Sequence, residues 1–561
     1  MIDKFWQPTP SLHEKTGCYL LSLRALRIFD SIRNIVSETS TPAQTGSETA
    51  PSSQRQVPPL AVGMVVGLAA TKLLIHLLTG GRYGYFRDEL YYLDAARHLD
   101  WGFVDFAPLV AVYAKVGLML GGSLHAIRLI PALAGAGVVA LAMYIAQQLG
   151  GGRFAQALAG LAVLFSSGFL VIDNILSMNA VEPLFWMGAI AVLIRIVNTG
   201  NSRLWLWFGV LAGLGLENKH STVFFGFTVV VALLLTEHRS EFKKPWIWLG
   251  GAVAFLIFLP NLLWQVRHNF ATLEDLENVR RMGKNIVLGP VEFVWQQIYL
   301  LHPLLFPIWL AGLVSFLWHR RTRILGWTFV VFFLTMFALH AKHYYLLPIY
   351  PMLLAGGAVA MERWLEARAA TRRKLWPRAA IVVVIVFVAS VVDVFMLPIL
   401  PPEKYIKHSA FLHLSQLQTE VHHKSTWPQI FADQFGWEEL VAEVAKIYQS
   451  LPPEERRQTA IFANNYGEAG AIDFFGPKHG LPPAICAHQN YYFWGPPDFT
   501  GDTYIVLQGR RSDLEQHFQS VDEAATHYHP YGMEEEDNPI YLCRGPKFKL
   551  SEVWPKLKHW N

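Results

Sequence analysis

Between residues 58 and 397 the chain returns repeatedly to apolar runs of span length, and that pattern excludes most folds. Lipid offers backbone N–H and C=O groups no partner, so a chain crosses a bilayer as helices of about 20 mostly apolar residues or as a closed barrel. Candidate spans fall near 58–80, 126–149, 155–172, 182–198, 204–217, 221–236, 246–264, 303–318, 324–339, 344–361 and 379–397, about eleven by length and hydropathy. The run 107–121 (APLVAVYAKVGLMLG) is short and is expected to be interfacial or re-entrant. Composition agrees: 52% of the 561 residues are apolar and only 16% charged, where a soluble globule carries about a quarter. The expected fold class is a polytopic α-helical membrane protein.

Basic residues set the orientation. With the N-terminus cytoplasmic, the inner loops hold Arg153, Arg203, Arg239, Lys243, Lys244, Arg320, Arg321, Arg323 and the cluster from Arg363 to Arg378, as the positive-inside rule asks. The polar residues that look misplaced in apolar surroundings then share the outer side: Asp88, Glu89, Asp105, Asp173, Asn179, Glu182, Glu217, Lys219, His220, Lys342 and His343. A transporter is expected to carry its ionisable groups near the midplane instead, and little of that is visible.

Three regions follow. Residues 1–57 form a tail expected to be cytoplasmic and largely disordered, with a low-complexity stretch (SETSTPAQTGSETAPSSQRQ) and an apolar part too interrupted by arginine to be a signal peptide. Residues 58–397 form the membrane domain. From 398 hydropathy falls, and helix-like WEELVAEVAKIYQSL alternates with strand-like TAIF, TYIVLQG and PIYLCRG, so 398–561 is expected to be an extracytoplasmic α/β domain. Its Cys486 and Cys543 form one bridge or remain two thiols. There is no zinc pattern and no dinucleotide fingerprint, and nothing points to nucleic acid.

Four stretches carry candidate chemistry. The first is GRYGYFRDELYYLDAARHLDWG (81–102), where a helix from about Asp88 to Leu99 would lie along the membrane surface. Asp88 and Glu89 at its start suit the helix dipole, or supply a carboxylate base. The second is ENKHS (217–221), whose Lys219 either snorkels to the interface or, with His220, meets an anion. The third is HAKHYYLLPIYP (340–351), where Lys342, His343 and Tyr344 can donate to a phosphate or anchor a helix at the interface. The fourth is the outer segment 265–302, with Arg280 and Arg281 among its basic residues, fitting either an anionic ligand or a long loop exempt from the charge rule.

These motifs resemble the GT-C glycosyltransferases, and more narrowly the bacterial relatives of protein O-mannosyltransferases and aminoarabinose transferases. The resemblance covers about 58–361 as fold. It implies an enzyme that moves one sugar from a polyprenyl-phosphate donor to an acceptor hydroxyl on a glycolipid, polysaccharide or protein at the outer face of the bacterial inner membrane, with inversion. It implies Asp88 as the base, Glu89 in support, and Lys219, His220, Lys342, His343 and Tyr344 around the donor phosphate. No cofactor is implied, although some branches use a divalent metal. The chain departs from the pattern in two places. DFAPL keeps Asp105 in altered surroundings, and MNAVEPLFW has Asn179 where relatives carry an acid. A second acidic role is left to Asp105, Asp173, Glu182 or none. A lipid-linked sugar flippase and a non-catalytic glycan-binding scaffold are the alternatives. The aromatic NYGEAGA and NYYFWG stretches beyond 464 bind sugar or pack the last domain onto the membrane part, and packing is the preferred reading.

Overall fold

The computed structural model describes residues 57–368, 375–411, 424–496 and 499–560. The expectations for the N-terminal tail lie outside these residues.

Every segment expected to span is helical. Among the described residues six helices are long and apolar enough to cross a bilayer: Val62–Thr79 (α1), Leu124–Gln148, Met178–Thr199, Pro245–Arg267, His343–Arg368 and Trp376–Asp393. Two bent pairs raise this to eight, Thr222–Leu234 with Glu237–Lys243 and Pro290–Leu301 with Pro303–Trp318. The count of eleven is thus not reached on length alone. The stretch 155–172 is the short helix Arg153–Leu164 followed by Ser167–Ile172, and 324–339 is the shorter helix Arg323–Ala338. The run 107–121 forms the eleven-residue helix Leu109–Met119.

In lipid there is little hydrophobic drive between helices, so close packing of small residues takes its place. Gly209 shows this. A side chain there would collide with the backbone carbonyl of Gly250, and one at Gly250 would collide with that of Trp205. The basic loops gather at one end, where Arg321 donates to the carbonyl of Asn198 at 3.1 Å and Arg363 to that of Leu149 at 2.8 Å.

The opposite end carries the C-terminal domain. Its sheet has the order β2-β1-β3-β5-β4, with β1 Thr459–Phe462, β2 Ala484–Ile485, β3 Thr503–Leu507, β4 Phe518–Thr526 and β5 Pro539–Pro546. β2, β1 and β3 are parallel, and β5 and β4 are antiparallel additions. Central β3 (TYIVL) is buried at every position, as a strand covered on both faces should be. Edge strand β4 ends the sheet with exposed Asp522 and Glu523, charges that discourage further pairing. Cys486 and Cys543 are free thiols. Cys486 follows β2 and Cys543 lies in β5, with β1 and β3 between them. At about 4.8 Å per strand a bridge across that gap is impossible.

Two further features depart from expectation. The helix that carries Asp88, Arg87–Ala95 (α2), is not spread on an open surface. Its residues from Glu89 to Ala95 are buried, and they share a core with the C-terminal domain through Trp437, Leu440 and Ala469. The membrane region also holds a buried charge that the sequence reading passed over. Lys72 in α1 is fully buried and pairs with Asp173 at 2.9 Å, seven residues, or about 10 Å, from the end of its helix.

Candidate active site

Asp88 is the second residue of α2. Phe86 precedes the helix in extended conformation, and its free N–H donates to the Glu89 carboxylate at 2.9 Å, satisfying an orphan donor of the first turn. Glu89 does more than cap. Arg128 clasps it with two bonds of 2.6 and 2.8 Å, and the Leu176 N–H donates at 2.7 Å. Arg128 also donates to the carbonyls of Gly80 and Gly84 at 2.5 and 2.9 Å. This fully buried ion pair locks the link between α1 and α2. Glu89, expected beside the base, therefore has no face left for a substrate.

Asp88 keeps a different neighbourhood. Its Oδ1 accepts a hydrogen bond of 2.8 Å from the Tyr466 hydroxyl, and Tyr466 belongs to the C-terminal domain. The Tyr466 ring stacks on Tyr91 with centroids 4.8 Å apart, and Tyr91 stacks on Tyr491 at 5.8 Å. The Tyr91 hydroxyl accepts from the Asn490 N–H at 3.0 Å and donates to Asp105 at 3.1 Å. Burial, with the charges of Asp275 and Asp88 nearby, pushes the Asp105 carboxyl well above the ordinary range. Asp105 thus joins Asp88 through Tyr91 and Tyr466, with burial favouring its neutral form.

The helix Tyr466–Phe475 (α3) reaches this position because its sequence, YGEAGAIDFF, keeps one face bare. A Cβ at Gly470 would stand 2.8 Å from the Leu90 carbonyl carbon, and one at Gly467 2.6 Å from the Arg87 side chain. The preferred packing reading of the aromatic stretches is what the contacts show. Trp494 stacks on His98 at 4.5 Å, and Phe493 meets His268 at 4.8 Å.

The cationic candidates lie along the adjoining helix ends. Lys219 donates to Asn179 at 2.8 Å and to Glu182 at 2.9 Å, and its ammonium sits 4.3 Å from the centre of the Tyr345 ring. Two of its three donors are taken. Glu182 also accepts from Ser221, so it acts as the counter-ion of Lys219. His220 lies 3.1 Å from Asn261, which donates to the carbonyl of Trp101 at 2.9 Å, tying the 217–221 motif to the loop that carries Asp105. Tyr344 packs edge-on against Tyr345, with ring centroids 5.0 Å apart. Asp88 and Asp105 are thus tied together through Tyr466 and Tyr91, and Lys219 and Tyr344 through Tyr345. Lys342 is half-buried and His343 buried at the start of the same segment.

Three candidates fall elsewhere. Asp173 is closed in its pair with Lys72, both fully buried. Arg280 and Arg281 are exposed, and Arg281 is engaged by Glu277 one turn away. Among the described residues no group of three His, Cys, Asp or Glu side chains comes together as a metal site would require, and the acids nearest Asp88 already have partners.

The sequence reading missed Tyr466, Arg128 and Lys72. Arg128 had a signal, a lone basic residue at an end of a span where the charge rule disfavours it. Lys72 had one too, an ammonium inside an apolar run. Tyr466 had none beyond its place in the NYGEAGA stretch.

A family model described as dolichyl-phosphate-mannose-protein mannosyltransferase matches residues 105–264, from Asp105 past Lys219. The lipid A galacturonosyltransferase RgtD of Rhizobium johnstonii is 24% identical over 292 residues, 50% of this chain and 61% of that protein. The match therefore spans less than two thirds of that relative. Crystal structures of ArnT from Cupriavidus metallidurans, in the apo state and bound to undecaprenyl phosphate, align with TM-scores of 0.56 and 0.55 at 15% and 14% identity. Each alignment covers 87% of this chain and 100% of the other. At that identity the likeness is one of fold.

Proposed function

We propose that the chain, which shares the fold of ArnT and matches part of a mannosyltransferase family model, acts as a GT-C membrane glycosyltransferase and transfers one sugar from a polyprenyl-phosphate carrier to a hydroxyl of a glycolipid acceptor of the lipid A type. The reaction runs at the outer face of the bacterial inner membrane, with the C-terminal domain periplasmic and the N-terminus cytoplasmic. The acceptor oxygen attacks the anomeric carbon as Asp88 takes its proton. The bond from that carbon to the phosphate oxygen breaks, and the configuration inverts. Lys219, Lys342, His343 and Tyr344 hold the phosphate as it gains charge, the effect expected of preorganised cations and donors in a dry site. Glu89 supports Asp88 indirectly, by fixing through Arg128 the start of α2. Asp105, whose neutral form burial favours, limits a second negative charge beside the base.

The observation that carries this reading is Asp88 itself. It is a carboxylate at the start of a buried helix, oriented by the hydroxyl of Tyr466, whose ring stacks on Tyr91, the hydrogen-bond partner of Asp105. A lipid-linked donor is supported by the fold shared with the undecaprenyl-phosphate-bound ArnT, and the acceptor class by the lipid A galacturonosyltransferase. One observation favours the flippase alternative, the intramembrane Lys72–Asp173 pair. That pair lies within about one turn of the middle of its helix, where a carrier site belongs, but both partners are fully buried against each other, which leaves no face for a carried substrate.

The test is transfer in proteoliposomes from a radiolabelled polyprenyl-phosphate-sugar pool. Label is expected in the glycolipid fraction, and Lys219→Met is expected to raise the donor KM about tenfold, the loss of one charge-assisted contact. Label in protein or polysaccharide would overturn the acceptor class. Donor that crosses the bilayer with no new glycosidic bond would establish the flippase.

A further inference from the structure

The C-terminal domain holds a second polar cleft whose position follows from its topology. The parallel strands β2, β1 and β3 deliver from their carboxyl ends His488, the pair Asn464 and Asn465, and Gln508 to one cleft. The chain leaves β1 toward β2 on one side, and leaves β3 toward β4 and β5 on the other. β1 and β3 are therefore adjacent strands whose following loops part in opposite directions. In α/β sheets that arrangement opens a crevice beyond the strand ends, where ligands bind.

The two loops meet across the crevice. Asn464 donates to Gln508 at 3.2 Å, and Gln508 and Asn465 both donate to Glu536, at 3.1 and 3.3 Å. Gln508 has a φ of 60°, in the left-handed region that side chains rarely enter and that collects at ligand-binding positions.

The lining selects the ligand class. Arg87 pairs with Glu535 at 2.8 Å, and Lys284 and Glu536 add one residue of each charge type to the lining, so the wall favours neither sign of ligand. Facing the cleft are amides, which donate and accept as sugar hydroxyls do, beside the paired rings of Tyr466 and His488, whose centroids lie 5.1 Å apart.

We propose that this cleft binds an uncharged hexopyranose unit of the acceptor glycan. Tyr466 lines it and donates to Asp88 at 2.8 Å, so a sugar held there anchors the acceptor beside the unit that reacts. As a role in catalysis the inference rests on the transferase reading; as a binding site it stands by itself.

The experiment titrates the full chain in nanodiscs with the soluble β-1,6-linked disaccharide of N-acetylglucosamine, followed by saturation-transfer NMR without donor. Saturable binding is expected. It should weaken about tenfold or more, the value of one lost polar contact, in Gln508→Ala and in the near-isosteric Gln508→Glu, and persist in Asp88→Asn. Carbene footprinting of the unaltered protein should show the peptide containing residues 464–466 protected by the disaccharide, a readout that needs no variant to fold. Absent binding, binding indifferent to both Gln508 variants, or displacement by inorganic phosphate would overturn the proposal. Gln508-dependent binding in a protein that transfers no sugar would leave the cleft standing and sink the transferase reading. Transfer with binding unchanged across the variants would do the reverse.

Discussion

Asp88 and Glu89 are chain neighbours with the same chemistry and different fates. Glu89 spends both oxygens on Arg128 and two backbone N–H groups, whereas an oxygen of Asp88 accepts a tyrosine hydroxyl. A comparable division separates Asp105 from Asp173. Asp105 joins the set around Asp88, and Asp173 neutralises Lys72 inside the bundle. Removing one partner of a buried pair strands the other charge, at a cost of about 3–5 kcal/mol, while replacing both with apolar groups is nearly neutral. Lys72→Met is therefore expected to lower the Tm sharply. Lys72→Met with Asp173→Leu should restore it and transfer sugar within about twofold of the parent, a change worth under ~0.5 kcal/mol. A double variant that folds but is inactive would return Asp173 to the site. Residue types and spacing made Asp88 and Lys219 legible as candidates. They could not distinguish Asp88 from Glu89, because that depends on Arg128, far along the chain and itself defined only by the fold.

At the scale of elements, the docking of α3 against α2 joins the soluble and membrane parts. The contact is close because Gly467 and Gly470 leave the helix face bare. Overpacking of a rigid contact costs about 1–3 kcal/mol, and here the contact also carries Tyr466. Gly470→Val is expected to abolish transfer and to expose the chain beyond residue 398 to protease, while the membrane part stays folded by tryptophan fluorescence. Full activity in that variant would show that the contact is dispensable. The helices were legible from hydropathy alone, as was the alternation that builds the sheet. Breaks such as that between Arg153–Leu164 and Ser167–Ile172 were not, since both halves read as one apolar run. The burial of α2 was hidden as well, because its partner lies far along the chain.

Over the whole molecule, burial pushes four carboxyls outside the membrane above their ordinary range. Burial raises Asp105, Glu468, Asp473 and Glu536, reinforced at the first three by the neighbouring charges of Asp275, Glu536 and Asp94 respectively. The unfolded chain releases their protons near pH ~4, while the folded chain keeps them to higher pH. Above that pH the folded state binds more protons, so stability falls as pH rises until the folded groups titrate, and then levels off. The Tm is expected to decline from pH 5 toward pH 8, with a shallower slope in Glu468→Gln. A Tm that rises over that window would contradict the assignment.

The central claim is that Asp88, set by the C-terminal domain, takes the acceptor proton. The most direct measurement is single-turnover sugar transfer in proteoliposomes by the parent, Asp88→Asn and Tyr466→Phe at matched protein. The account predicts a drop of about 10²–10⁴ in rate for Asp88→Asn, the usual contribution of a positioned base. It predicts a smaller drop of about tenfold for Tyr466→Phe, the cost of one hydrogen bond to a charged group, with donor binding unchanged in both. Transfer by Asp88→Asn at the parent's rate would contradict it.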